Sequence, residues 1–135
     1  METLNAALLN DSHGAIISPT AHVVVPAGWY LAVDGMLAKL ADLPTDIRAF
    51  LIVVGIYPSD NTGLLVVDIG ANPDFMAPGG IEQVAAIVKQ CRDLCAWSCV
   101  NTGDHGWLVH SKSGPRVLCP ECQRNENMEV KCHAV

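Results

Sequence analysis

The sequence predicts an α+β fold in which a short antiparallel sheet is packed by two helices and followed by a cysteine-rich C-terminal lobe. Three observations predict it. Ile47–Tyr57 and Leu64–Ile69 are apolar, β-branched runs on either side of a Pro58–Gly63 turn, the pattern of a hairpin. Ile81 to about Trp97 repeats apolar residues at i, i+3, i+4 and i+7, which is one face of a helix. Five of the six cysteines fall between Cys91 and Cys122.

With 135 residues, half of them hydrophobic and 16% charged, the chain can bury a core and is sized for one domain. Aromatic residues make up 5%, so that core is built from Ala, Val, Leu and Ile. Within the domain the expected parts are a core at residues 1–94 with an acidic surface, a lobe at 95–122 and a polar tail at 123–135.

Taken in order, residues 1–9 suit a short helix through Leu4, Leu8 and Leu9, and Asn10–Gly14 is a turn cluster. Ala15–Ser18 and Ala21–Val25 are short apolar runs separated by Pro19, which restricts them to sheet edges because proline donates no ladder hydrogen bond. Trp29–Ala41 has helical spacing through Val33, Met36, Leu37 and Leu40, and Leu43-Pro44 ends it. Ile47–Tyr57 is apolar on both faces and therefore expected at the centre of the sheet. Gly70–Gly80 is a loop rich in Pro and Gly. After the Ile81 helix, Asn101–Gly106 turns the chain into a second hairpin, Trp107–His110 with Arg116–Leu118, which leads to Cys119.

The cysteines carry the chemistry. Cys119-Pro-Glu-Cys122 has the spacing of a knuckle that points two thiolates at one metal, and Cys95 with Cys99 completes a four-sulfur site of the kind that holds structural zinc. The two pairs enclose nineteen residues, an ordinary zinc-ribbon separation. Cys91 lies in the apolar stripe a full turn before the helix end and reads as a buried structural cysteine. His105, His110 and the Cys132-His133 pair are competing ligands, since sites with three cysteines and one histidine are common. His13 and His22 read as surface residues far from this cluster.

A closed four-sulfur site leaves no position for a reactive water. The deaminase, His-Glu-x-x-His, nucleophile-elbow and P-loop patterns are all missing from the sequence. An enzyme would have to use an unrecognised site near His105, Asp104 or His110. Charge is uneven: residues 1–88 hold nine acids and two bases, and residues 89–135 hold five acids and six bases. An acidic front half, carried by Asp34, Asp42, Asp46, Asp60, Asp68 and Asp74, disfavours phosphate backbones. The basic residues beside Trp107, namely Lys112, Arg116 and Arg124, keep nucleic acid as an alternative partner. No basic leader and no apolar run of membrane length is present, so reduced thiols, no membrane partner and a cytoplasmic location are expected.

The order Gly28-Trp29 before a helix, a strand ending near Tyr57, Gly63-Leu64 opening the next strand, a helix running into Cys95 and a hairpin ending in Cys119-x-x-Cys122 resembles small phage and mobile-element proteins. In these a helix–hairpin–helix unit runs into a zinc-ribbon-like end with the pattern Cys-x-x-Cys-Gly … Gly-Trp … Leu-Cys-x-x-Cys/His. The resemblance covers residues 28–122, and this chain departs from it in having Cys95-x-x-x-Cys99 with no Gly directly after Cys99. It implies zinc at Cys95, Cys99, Cys119 and Cys122 and no known activity. By analogy with other small accessory proteins of such elements, it implies a non-enzymatic protein that docks on a host protein complex. An inhibitor of a defence system, of the anti-CRISPR type, is the concrete form.

Overall fold

The computed structural model describes residues 2–112 and 114–126, with side chains from Asn5 onward. Helix α1 (Glu2–His13) leads into β1 (Ile17–Val23), and a single 3-10 turn at Ala27–Trp29 opens α2 (Tyr30–Ala41). A one-turn helix, α3 (Thr45–Arg48), precedes β2 (Leu51–Pro58) and β3 (Leu65–Ala71). Then come α4 (Gly80–Ala96), the hairpin β4 (Trp107–Ser111) and β5 (Gly114–Leu118), and a helix over 120–126.

The main sheet runs β1-β2-β3, with β2 and β3 forming the expected antiparallel hairpin. It is a mixed sheet, however, and not the antiparallel one expected, because β1 pairs parallel to β2. The reason lies in the connection: α2 and α3 intervene between β1 and β2, and a helical crossover of that length returns the chain in the same direction. The two runs around Pro19 fuse into one edge strand, with a register shift between Ile17 and His22. The edge position tolerates the proline.

Helix α2 buries the face its spacing foretold, with Val33, Met36, Leu37 and Leu40 all enclosed behind Trp29. Strand β2 is central, yet only one of its faces is covered. Leu51, Val53 and Ile56 are buried while Ile52 and Val54 remain 38% and 42% exposed. Helix α4 packs through Val84, Cys91 and Cys95, whereas Ile81 and Leu94, expected on the same stripe, face outward. His13 Nε2 meets Asp34 Oδ1 at 2.8 Å and ties α1 to α2, while Lys39 Nζ donates to Gln90 Oε1 at 2.8 Å between α2 and α4.

One apolar core continues from Leu9 and Trp29 through Cys95, Cys99 and Val100 to Val117, Leu118 and Cys119. The C-terminal hairpin therefore shares this core, joined to the loop after α4 by Val100 N–H donating to Val117 O at 2.9 Å.

Candidate metal centre

Two short segments bring three thiols together. The first is the loop after α4. Cys99 N–H donates to Asp104 O at 2.8 Å, Gly103 N–H returns to Cys99 O at 2.9 Å, and Gly103 takes φ +80°, a left-handed conformation that glycine adopts without strain. The second is the start of the final helix. Strand β5 ends at Leu118, Pro120 occupies the first helical position, and Gln123 N–H bonds to Cys119 O at 3.0 Å. Cys119 and Cys122 thus flank one turn and point the same way.

The sulfurs of Cys99, Cys119 and Cys122 all lie within 4.8 Å of one another and can hold a metal ion. Cys99 and Cys122 are 3.7 Å apart. Two thiolates on a tetrahedral metal at about 2.3 Å per bond stand about 3.8 Å apart, so this spacing needs no rearrangement.

Hydrogen bonds prepare these sulfurs. Burial pushes the Cys99 thiol up, but the Thr102 hydroxyl and the backbone N–H groups of Cys119, Thr102 and Asn101 outweigh it and bring the pKa down to about 6. Cys122 is pushed up to about 11, by burial first and then by its bonds to Cys119 and Cys99, with the Asn101 side chain opposing. Asn101 Oδ1 accepts from Arg116 Nη2 at 3.3 Å, an arrangement that leaves its amide N–H to face Cys122.

Of the four sulfurs expected, Cys95 is not in the group. It is fully buried on α4 beside Cys91, one helical turn away, and its hydrogen bond to Cys91 together with burial holds its thiol well above the ordinary value. Cys91 itself is buried and donates to Ala32 O at 3.5 Å, in keeping with a core cysteine. His105 and His110 are exposed and lie apart from the sulfurs, and Cys132-His133 falls outside the described residues. Of the two more distant histidines, His13 is taken up by Asp34 and His22 lies against Tyr57.

Sequence reasoning missed Thr102. Its hydroxyl sits 3.8 Å from Cys119 Sγ and also reaches Cys99. The signal was present in the spacing. Cys99-x-x-Thr102-Gly103 repeats the interval of Cys119-x-x-Cys122, with a hydroxyl in place of the second thiol.

Outside the sulfurs, the lobe exposes a cluster of large side chains. The Trp97 indole and the His105 imidazole stack with 1° between their planes and 5.9 Å between centroids, and Trp107 tilts against His105 at 6.4 Å. Leu94, Trp97, Trp107 and Leu108 are 41–58% exposed. Six of the seven front-half aspartates are exposed, while Asp34 is half-buried against His13. No described helix is long and apolar enough to cross a membrane.

Comparison with known proteins finds no family model, no curated protein and no solved structure that matches the chain.

Proposed function

We propose that the chain is a zinc-stabilised, non-enzymatic binding protein that docks on a protein partner through the exposed aromatic face of its C-terminal lobe. Sulfur-only donors suit zinc, and a metal at Cys99, Cys119 and Cys122 would tie the loop after α4 to the start of the final helix. The observation that carries the reading is the Trp97–His105 stack with Leu94 and Trp107 beside it. Contiguous exposed aromatics of this kind are enriched where proteins meet partners, and their burial dominates binding energy. The setting that the sequence resemblance implies, a phage or mobile element acting on a host complex such as a defence system, belongs to the same proposal.

A second reading draws on the same stack. Coplanar exposed rings are also platforms for unpaired nucleobases, with Lys112 and Arg124 available in the same lobe. Affinity capture from host extract with metal-loaded protein separates the two. The first reading expects a stoichiometric protein that survives nuclease treatment and is lost with Trp97→Ala while metal content stays unchanged. Nuclease-sensitive capture, with retained nucleic acid, supports the second.

A further inference from the structure

Among the described residues the group of sulfurs is one donor short of the closed site the sequence suggests. Three thiolates come from Cys99, Cys119 and Cys122, and the Thr102 hydroxyl lies beside two of them, Cys119 and Cys99. A neutral threonine hydroxyl is a poor ligand beside three thiolates, and at 3.8 Å it is placed to donate to Cys119 Sγ. Asn101, Thr102, Gly103 and Asp104 beside the sulfurs are all exposed and Cys122 is half-buried, so the group lies near the surface, whereas Cys99 and Cys119 are buried. Three protein ligands with an accessible fourth position is the arrangement of exchangeable metal sites, in contrast to closed structural ones.

We infer that a metal held by Cys99, Cys119 and Cys122 keeps its fourth position for a donor from solution, and that a small thiol takes it in place of water. This rests on the metal-binding reading above. A thiolate is the matched chemistry because three soft sulfur donors favour a fourth. In the exchange the incoming thiol releases its proton to solvent, one metal–sulfur bond forms, one metal–water bond breaks, and nothing is oxidised or reduced. Thr102 then serves as a hydrogen-bond donor on the rim of the open corner, next to the Asn101–Arg116 pair.

Cobalt(II) titration of the full chain tests this, because its visible bands report both the number of thiolates and the fourth donor. The wild type is expected to bind one cobalt with a three-thiolate charge-transfer band. Its ligand-field bands should shift on addition of 2-mercaptoethanol, and separately with imidazole. Thr102→Cys should give the four-thiolate spectrum at once and lose the response to added thiol. Thr102→Val should keep both metal and response, and Cys132→Ser should behave as wild type. A four-thiolate spectrum in the wild type that ignores added thiol overturns the inference while leaving metal binding intact, and its loss in Cys132→Ser would assign the fourth sulfur to the tail. Loss of the thiol response in Thr102→Val overturns it, since a fourth position open to solution does not need that hydroxyl to take a thiol. Failure of the wild type to take up cobalt at all overturns the metal-binding reading together with this inference.

Discussion

The indole Nε1 of Trp29 donates a 2.8 Å hydrogen bond to the carbonyl oxygen of Ser98, the residue before Cys99. Its neighbour Gly28 donates its backbone N–H to Val100 O at 2.8 Å, so two consecutive residues at the start of α2 grip both sides of the first cysteine of the thiol group. Trp29→Phe keeps most of the buried ring but leaves the Ser98 carbonyl without its donor. We expect a loss of about 1–3 kcal/mol, from chemical denaturation, with weaker metal binding.

A Cβ on Gly28 would stand 1.9 Å from Cys99 O and 2.6 Å from Gly103 N, both backbone atoms that cannot swing aside. Gly28→Ala should therefore cost roughly 3 kcal/mol or more and disturb the sulfur group. Gly35 in α2 is the control, with open space around its Cβ position. Gly35→Ala should stabilise the protein by about 0.5–1 kcal/mol, since alanine is the better helix former. Equal effects of the two changes on melting temperature would contradict the packing described.

The elements were legible because their periods are long and their punctuation is clear. Trp29–Ala41 and Ile81–Trp97 were placed to within a residue or two, and the Leu65 hairpin followed from its turn. The parallel pairing of β1 was not legible, since an edge strand broken by Pro19 carries no sign of its partner's direction. Cys95 was a reasonable choice by spacing, but spacing along a helix does not say which turn faces the loop. Thr102 was passed over because a threonine in a turn ordinarily caps its own backbone, as it also does here toward Asp104 N–H at 3.2 Å. Leu94 falls on the apolar stripe by spacing, yet it and Trp97 at the helix end are exposed, because nothing in the described residues covers that side of α4.

Serine scanning of the five described cysteines should divide them into two classes. Cys99→Ser, Cys119→Ser and Cys122→Ser should each abolish stoichiometric metal uptake, measured by elemental analysis after purification in metal. Cys91→Ser and Cys95→Ser should retain the metal and lose roughly 1–3 kcal/mol of stability, because each puts a hydroxyl in an apolar site. Metal loss in Cys95→Ser with retention in Cys122→Ser would show that the wrong sulfurs have been grouped.

Metal-free protein should show a stability slope set by Cys99. Its folded pKa, near 6, lies below that of the unfolded thiol, so folding favours the thiolate. That contribution is fully present above the unfolded thiol value and is lost as pH falls from there through about 6. Cys122 acts in the opposite sense at the alkaline end. Its folded pKa near 11 favours the protonated form, and the stability this confers disappears as pH rises through about 11. Denaturation of the metal-free wild type and Cys99→Ser between pH 6 and 9 should show the acid-side loss in the wild type alone. Parallel pH profiles would exclude it.

The grip of residues 28 and 29 on residues 98–100 has a consequence for biosynthesis. During synthesis the saddle at the head of α2 emerges from the ribosome about seventy residues before the loop it holds, and the second pair of sulfurs follows later still. Helices and the β2–β3 hairpin can form while the chain is growing, but the pocket around Trp29 stays open to water until residues 98–122 arrive. A nascent chain at that stage displays an unfilled apolar notch and no thiol cluster. Assembly of the thiol group is thus a closing event of maturation, and a chain halted before residue 98 would be nearly three-quarters complete in sequence yet unsealed at that notch.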